Sequence, residues 1–331
     1  MALPVNERQA ATISPEATAF LRSQPSLSGP PSLYADMASP AQVPVFRAQF
    51  QEQEDIVEEK IISDNDLVIE RDTITGVPVI IVQPRQTAED MRGKAVLNIH
   101  GGGFTIGTGR ERTALLTAAE LGATVYSVDY TLSPEAAFPV AIEQSLVVYR
   151  DLTARVGGRN LAGVASSSGG QIMLAAVNRA RRQGLPMIAA LGLYTPASDI
   201  SGDGDSGVVN SDRDLMPTDL ALAFAHLNYV PGADLHDPEV SPICASYDSG
   251  FPPTVVNTGT RDSLMSNSIR LYWVLREAGA DVELLVSEGM WHGFNWEPAL
   301  PEAIRARTAV YDFLRSRLSR APASSRGSGS G

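Results

Sequence analysis

The chain has 331 residues, 44% of them hydrophobic, which is enough for one large α/β domain or two small domains with a substantial core. Its net charge of -12 and its pI of about 4.8 argue against a nucleic-acid partner, because phosphate binding needs clustered Lys and Arg. The single cysteine, Cys244, excludes an internal disulfide framework and a cysteine-rich metal site.

The N-terminal segment, residues 1–60, is rich in Pro, Ser, Gln and Glu, and we interpret it as either a cap or a flexible leader. Its prolines predict that no long helix forms there. The segment has no basic region followed by an apolar run, and no stretch of the chain approaches the ~18–20 apolar residues of a membrane span. We therefore expect a cytoplasmic protein without a membrane partner. The prolines concerned are Pro25, Pro30, Pro31, Pro40 and Pro44.

From Leu67 onward, short runs of β-branched and apolar residues alternate with helical segments. This alternation predicts a mostly parallel sheet covered by helices. The runs are residues 77–82, 95–100, 125–130, 161–165, 187–194, 254–257 and 282–286.

The alternation stops between residues 195 and 251. A Gly/Asp-rich loop at 201–207 and an apolar segment at 220–229 occupy this region, which we interpret as an insertion over the functional site. The catalytic domain is then expected to span residues 61–318. Residues 319–331 end in a Gly/Ser-rich, linker-like sequence and are expected to form a flexible tail.

Two glycine-containing motifs follow predicted strands. His100-Gly101-Gly102-Gly103 closes the first of these strands, and Ala-Ser-Ser-Ser-Gly-Gly at 165–170 forms a turn before a predicted helix. Successive glycines let backbone N–H groups point at one spot, and a tight strand-to-helix turn lifts one serine Oγ out of the sheet. Together they predict the oxyanion hole and the nucleophile of a serine hydrolase.

Further motifs occur in a fixed order around these two: Asp129-Tyr130, Ser133-Pro134-Glu135, Phe138-Pro139, Ser241-Pro242, Gly-Thr-Arg-Asp-Ser-Leu at 259–264 and His292-Gly293-Phe294. From about residue 65 to 318 the chain thereby resembles the bacterial hormone-sensitive-lipase-like esterases of the α/β-hydrolase fold. The resemblance implies an eight-stranded, mostly parallel sheet with helices on both faces. It also implies a helical cap built from the N-terminal segment and the insertion, hydrolysis of acyl esters, and no cofactor.

The resemblance places the nucleophile at Ser167, the acid at Asp262 and the base at His292, in the chain order typical of this fold. A serine hydroxyl is a poor nucleophile, so an imidazole must accept its proton, and a carboxylate must fix the tautomer and stabilise the imidazolium. The resemblance places the oxyanion donors at the backbone N–H groups of Gly102 and Gly103, joined by that of Ser168.

The serine turn departs from the family pattern, which usually has Gly at 165, Asp at 166 and a small residue such as Ala at 168. This chain has Ala165, Ser166 and Ser168. Ser167 is preferred as nucleophile because Gly169 lies two positions after it, where close packing is needed, and the small Ala165 lies two before. Thr131 stands where the family commonly has arginine, which puts a local salt bridge in question, but not catalysis.

None of the other ionisable residues is preferred as a catalytic group. Asp248 and Asp281 are alternative acids, but neither follows an apolar strand after so short a loop. The four histidines are scattered without a His-Glu-x-x-His motif, so a metal site is not expected. We expect structural, surface or cap positions for His100, His226, His236, Asp129 and Glu135.

The substrate pocket is predicted from apolar residues near the motifs or in the insertion, although the same residues could form the core of the cap. They favour an uncharged ester, and the resemblance implies short to medium acyl chains. A lactone, carbamate or amide could be cleaved by the same groups. A small-molecule receptor without catalysis is the second hypothesis, favoured only by the altered serine turn, and a homodimer is left open. The pocket residues are Phe104, Leu215, Met216, Phe224, Met290 and Trp291.

Overall fold

The computed structural model describes residues 2–27 and 29–318, and the predicted tail at 319–331 lies outside the described residues. Eight strands form one sheet: β1 (Leu67–Ile74), β2 (Val77–Pro84), β3 (Ala95–Ile99), β4 (Thr124–Val128), β5 (Leu161–Ser166), β6 (Ala190–Tyr194), β7 (Thr254–Gly259) and β8 (Val282–Ser287). Their order across the sheet is β1-β2-β4-β3-β5-β6-β7-β8.

The sheet is mostly parallel, as predicted. Strand β2 runs antiparallel to both β1 and β4, and the other neighbouring pairs are parallel. The predicted runs correspond to β2–β8. Strand β1 was not among them, because this edge strand carries the charged sequence Glu70-Arg71-Asp72 and exposes most of its side chains. The predicted run at 187–194 is shortened to Ala190–Tyr194.

Helices cover both faces of the sheet, as predicted. Alternate residues of β3 point to opposite faces of the sheet. Leu97 and Ile99 pack in the core beneath α6 (Val140–Val156) and α7 (Ser168–Arg182), whereas Val96 packs beneath α5 (Arg112–Leu121) and α11 (Pro301–Leu318). The central strands β5, β6 and β7 are buried along their whole length, as expected for parallel strands covered on both faces. The helices are α1 (Glu7–Ala10), α2 (Pro15–Ser23), α3 (Pro31–Met37), α4 (Val43–Asp64), α5 (Arg112–Leu121), α6 (Val140–Val156), α7 (Ser168–Arg182), α8 (Ser206–Val209), α9 (Thr218–Phe224), α10 (Met265–Glu277) and α11 (Pro301–Leu318).

Helix α4 corrects the sequence analysis, which predicted no long helix in residues 1–60. It has 22 residues and begins at Val43, so Pro44 lies in its first turn. The backbone N–H groups of a first turn have no partner within the helix, and a proline there removes no hydrogen bond. The prolines therefore limit where α4 begins without breaking it.

The N-terminal segment packs against the end of the sheet that carries the predicted site. The ring of Phe20 in α2 stacks on Trp291, with ring centroids 4.6 Å apart. Backbone N–H and Oγ of Ser14 both donate to the carboxylate of Glu302, at 2.7 and 2.9 Å. These contacts fix α2 to the loop after β8 and to α11.

The insertion packs against the same N-terminal segment. It contains α8, α9 and a π-helical turn at Ala225–Tyr229. Tyr34 and Val43 form a buried cluster with Leu220 and Phe224 of α9. Within residues 2–27 and 29–318, no helix is both long and apolar enough to cross a membrane.

Candidate active site

The turn between β5 and α7 holds Ser167 in an uncommon backbone conformation, with φ 53° and ψ -125°. Such a conformation costs about 1–3 kcal/mol for a non-glycine residue and persists only where its surroundings fix it. A Cβ atom at Gly169 would lie 2.1 Å from the carbonyl oxygen of Ile99, and one at Gly170 would lie 2.7 Å from Cβ of Pro196. Both glycines are therefore needed for the helix to start this close to its neighbours.

The consecutive serines of this turn have different surroundings. Ser166 is buried in β5, and its Oγ has no hydrogen-bond partner among the described residues. The Oγ of Ser168 accepts a hydrogen bond from the backbone N–H of Phe104 at 3.3 Å. Only the Oγ of Ser167, of these three, lies next to the histidine: it is 2.9 Å from Nε2 of His292.

His292 and Asp262 form the second contact of a relay that begins at Ser167. Nδ1 of His292 lies 2.9 Å from Oδ1 of the fully buried Asp262. Oδ1 also accepts from the N–H of Leu264 at 2.8 Å, and Oδ2 accepts from Oγ1 of Thr258 at 2.7 Å. The carboxylate is thus held in one orientation, in which it fixes the proton on Nδ1 and leaves Nε2 to accept from the serine.

The two alternative acids lie in ion pairs outside this relay. Asp248 pairs with Arg181, and Asp281 pairs with Arg317 at 2.8 Å.

The pKa of His292 is raised above its ordinary value. Burial by itself lowers the pKa, but the charge and hydrogen bond of Asp262, together with the charge of Asp214, outweigh that effect. The imidazolium is therefore stabilised at the position where a proton from Ser167 would arrive.

The glycine loop after β3 is tightly curled. Gly102 and Gly103 have φ of 106° and 58°, and a Cβ at Gly102 would lie 2.2 Å from the carbonyl oxygen of Ile106. Nδ1–H of His100 donates to the Gly101 carbonyl at 2.7 Å, while its ring stacks on Tyr130. Within the part of the chain that the structure describes, the N–H groups of Gly102 and Gly103 have no hydrogen-bond acceptor, so they are free to bind a ligand oxygen.

A cavity of about 110 Å³ opens beside Ser167 and His292. The glycine loop forms one wall, and α4, the first turn of α5 and Trp296 form the others. Its remaining lining residues are Phe50, Glu54, Glu58, Gly101, Gly102, Gly103, Ile106, Gly107, Glu111, Arg112 and Met216.

Of the predicted pocket residues, the structure brings only Met216 to this cavity. Phe104 instead stacks on Tyr229, with ring centroids 3.9 Å apart, and Phe224 stacks on Phe46 at 5.5 Å. The other three, Leu215, Met290 and Trp291, pack in the cluster beneath α2. An apolar residue near a motif could thus be either a pocket residue or a core residue, and the sequence did not distinguish the two.

The acidic residues of the cavity wall were not predicted from the sequence. Burial raises the pKa of Glu58 to about 7, although its hydrogen bond with Arg110 acts in the opposite direction. Burial likewise raises the pKa of Glu111 to about 8, against the hydrogen bond from Asn98. Glu54 and Glu58 are four residues apart, a spacing that places them on one helix face, but the prolines had led us to expect no long helix here.

Asp214 in the insertion is a further residue that the sequence analysis missed. Ligand-type atoms of Asp214, Asp262 and His292 lie within 4.8 Å of one another, the spacing of a metal site. Both carboxylates already accept hydrogen bonds, Asp262 from His292 and Asp214 from backbone N–H groups, and Nε2 faces Ser167. The arrangement is that of a hydrogen-bonded relay.

Comparisons with known proteins agree with this geometry. Residues 96–295 match a family described by the alpha/beta hydrolase fold. The carboxylesterase NlhH of Mycobacterium tuberculosis is 30% identical over 247 residues, which cover 71% of this chain and 76% of that protein. The crystal structure of esterase E25 matches with a TM-score of 0.87 at 28% identity, over 95% of this chain and 97% of that one. A crystal structure of an esterase from the bacterial hormone-sensitive lipase family matches with a TM-score of 0.74 at 28% identity, over 88% and 100%.

Proposed function

Because the chain belongs to the hormone-sensitive-lipase-like esterases of the α/β-hydrolase fold and is a carboxylic ester hydrolase, we propose that it cleaves esters of short- to medium-chain acids by a Ser-His-Asp mechanism. The observation that carries the proposal is the pair of 2.9 Å contacts that link Ser167 Oγ to His292 and His292 to Asp262.

In the proposed reaction, Ser167 Oγ attacks the ester carbonyl carbon while its proton moves to Nε2 of His292. The N–H groups of Gly102, Gly103 and Ser168 stabilise the oxyanion that forms. The tetrahedral intermediate collapses when His292 gives its proton to the leaving alcohol, which leaves an acyl-enzyme. Water then attacks the acyl group with His292 again as base, and the acid is released.

The size of the cavity supports a short acyl chain. Its volume of about 110 Å³ is well below the roughly 300–1,000 Å³ typical of drug-sized ligand sites. The raised pKa values of Glu58 and Glu111, about 7 and 8, mean that these wall groups retain protons near neutral pH. Arg112, the cation among the described lining residues, is paired with Glu54 at 2.7 Å, which supports an uncharged acyl group.

The test replaces each serine of the turn. We expect Ser167→Ala to lower kcat for p-nitrophenyl acetate by at least about 10³-fold without unfolding, because triad members act as a unit. Ser166→Ala is the matched control, since the Oγ of Ser166 has no hydrogen-bond partner among the described residues, and it should remain active. An inactive Ser166→Ala beside an active Ser167→Ala would contradict the assignment. Equal, low activity of all the proteins, wild type included, would favour the receptor hypothesis.

A further inference from the structure

Asp214 is a buried carboxylate that the proposed mechanism does not use. It lies in the insertion between α8 and α9, and 1% of its surface is exposed. Oδ1 accepts hydrogen bonds from the backbone N–H groups of His292 at 2.8 Å and Leu215 at 2.7 Å. Oδ2 accepts from the N–H of Ser263 at 2.6 Å. Since Ser263 directly follows Asp262, one side chain is bonded to the loops that carry both the base and the acid.

Neighbouring residues of the insertion strengthen this link. Nδ2 of Asn210 donates to the carbonyl oxygen of Asp262 at 3.0 Å. The guanidinium of Arg261 donates to the carbonyl oxygen of Arg213 at 2.8 Å. The segment from 210 to 214 therefore holds the acid loop from several directions, while Asp214 alone among these residues also bonds to His292.

We propose that Asp214 is a positioning residue for the His292–Asp262 pair, through which the insertion sets the geometry and the charge of the base. The proposal rests on the proposed function, because it assigns Asp214 a part in the proton transfer from Ser167. A displacement of reacting groups by about 1 Å can slow a reaction about 10²-fold, so the placement of both loops matters to the rate.

The charge of Asp214 acts in the same direction as its hydrogen bonds. The ionisable groups that face it are Asp262, His292 and Arg261. Burial raises the pKa of Asp214 to about 6, the charge of Asp262 adds to this rise, and His292 opposes it. Above that pH the ionised Asp214 favours the imidazolium form of His292 and so raises its pKa.

The first experiment compares Asp214→Asn and Asp214→Ala in the full chain. Asparagine keeps one accepting oxygen but turns an N–H₂ group toward a backbone N–H, and alanine removes every acceptor. We expect kcat for p-nitrophenyl acetate to fall about 10-fold for Asn and about 100-fold for Ala, with KM changed less than about 2-fold. A change confined to KM would overturn the proposal.

The second experiment measures the titration of His292 directly by NMR of its imidazole. In Asp214→Asn we expect the titration, and the acid limb of kcat/KM, to move to lower pH, a shift that mere loss of packing would not cause. Asp199→Asn is the matched control: this buried aspartate of the insertion is 4% exposed and bonds to Ser201 and Arg270. Its replacement should leave the titration of His292 unchanged.

These measurements separate the proposal from the proposed function. If Ser167→Ala is as active as wild type, the proposed function fails, and the NMR titration still tests Asp214. A folded Asp214→Asn with wild-type kcat and an unmoved titration would overturn the proposal. If neither variant folds, wild-type His292 resonances decide: a second inflection from Asp214, above the ordinary range of an aspartate, is expected, and its absence would overturn the proposal.

Discussion

At the scale of single residues, the carboxylate of Asp262 illustrates how strongly one side chain is constrained. It bonds to His292, Leu264 and Thr258 and is fully buried. We expect Asp262→Asn to lower kcat by up to about 10⁴-fold while the fold is retained, because an amide can hold the wrong imidazole tautomer and cannot stabilise the imidazolium. Asp281→Asn, at an exposed ion pair, is the control and should keep its rate. Near wild-type activity of Asp262→Asn would place the acid elsewhere.

In the proposed mechanism, the pH dependence of the rate is that of His292. The base must be neutral to accept the serine proton, so kcat/KM should rise as the imidazolium loses its proton. Because the pKa of His292 is raised, the midpoint should lie above the ordinary imidazole value of about 6.5. Steady-state rates with p-nitrophenyl acetate between pH 5 and 9 measure it. A rate that is flat through this range, for a substrate limited by chemistry, would contradict the base assignment.

Each residue of the proposed triad lies beside a recognisable sequence pattern, which is why the sequence could indicate it. Ser167 lies in a strand–turn–helix sequence, and Asp262 and His292 follow the apolar strands β7 and β8 closely, so their side chains meet at one edge of the sheet. Asp214 lies in a stretch without periodicity, and its role depends on loops distant along the chain. No local pattern could have identified it.

At the scale of elements, apolar runs predicted the buried strands. The elements that were not predicted are those whose structure depends on polar side chains. Strand β1 is an exposed edge, and α4 carries the acids that bind Arg110, just before α5, and Arg112, in the first turn of α5. Arg110 bonds to Glu58 at 2.7 Å, and Arg112 bonds to Glu54 through two nitrogens at 2.7 and 2.8 Å. Such pairing between two elements cannot be derived from the periodicity of either one.

Glu111 at the start of α5 provides a test of this acidic wall. Its pKa is about 8 in the folded chain, against about 4.3 for an unperturbed glutamate, so between these values the folded state binds more protons than the unfolded state. The free energy of unfolding should therefore fall as pH rises through this window, by about 1 kcal/mol or less per pH unit because the side chain is part exposed.

Glu111→Gln cannot ionise and should lose this dependence. We expect its unfolding free energy relative to wild type to increase from pH 5 to pH 8 and then level off, as measured by urea unfolding at each pH. The exposed Glu89→Gln is the control, with no such trend expected. A constant difference between Glu111→Gln and wild type would show that Glu111 is ionised throughout.

At the scale of the whole molecule, the N-terminal segment was expected to be either a cap or a flexible leader, and we now propose that it is a cap. Its helices cover Trp291, the residue before the proposed base. Ala17 and Leu21 of α2 are fully buried with Trp291 and Phe294. The loop that carries His292 is thus packed between the catalytic sheet and the chain's first helices, which couples the segment to the site.

Deletion of residues 1–26 tests this coupling, since the cut falls between α2 and α3. It would uncover the apolar cluster around Trp291, and we expect aggregation and a lower thermal midpoint because a sizeable apolar patch becomes exposed. Ser167 depends on His292 for its activation, so both ester turnover and labelling of Ser167 by a fluorophosphonate should fall, because the His292 loop has lost its support.

Phe20→Ala provides the graded version of this test, because it removes only the ring stacked on Trp291. The free energy of unfolding should fall by at least the about 0.5–1.5 kcal/mol that an aromatic pair contributes beyond its buried area, with turnover closer to wild type than in the deletion. If the deleted protein stays monodisperse and keeps full kcat/KM on every ester, the first helices contribute nothing to the site. Enclosure of the substrate would then depend on the insertion and α4 alone.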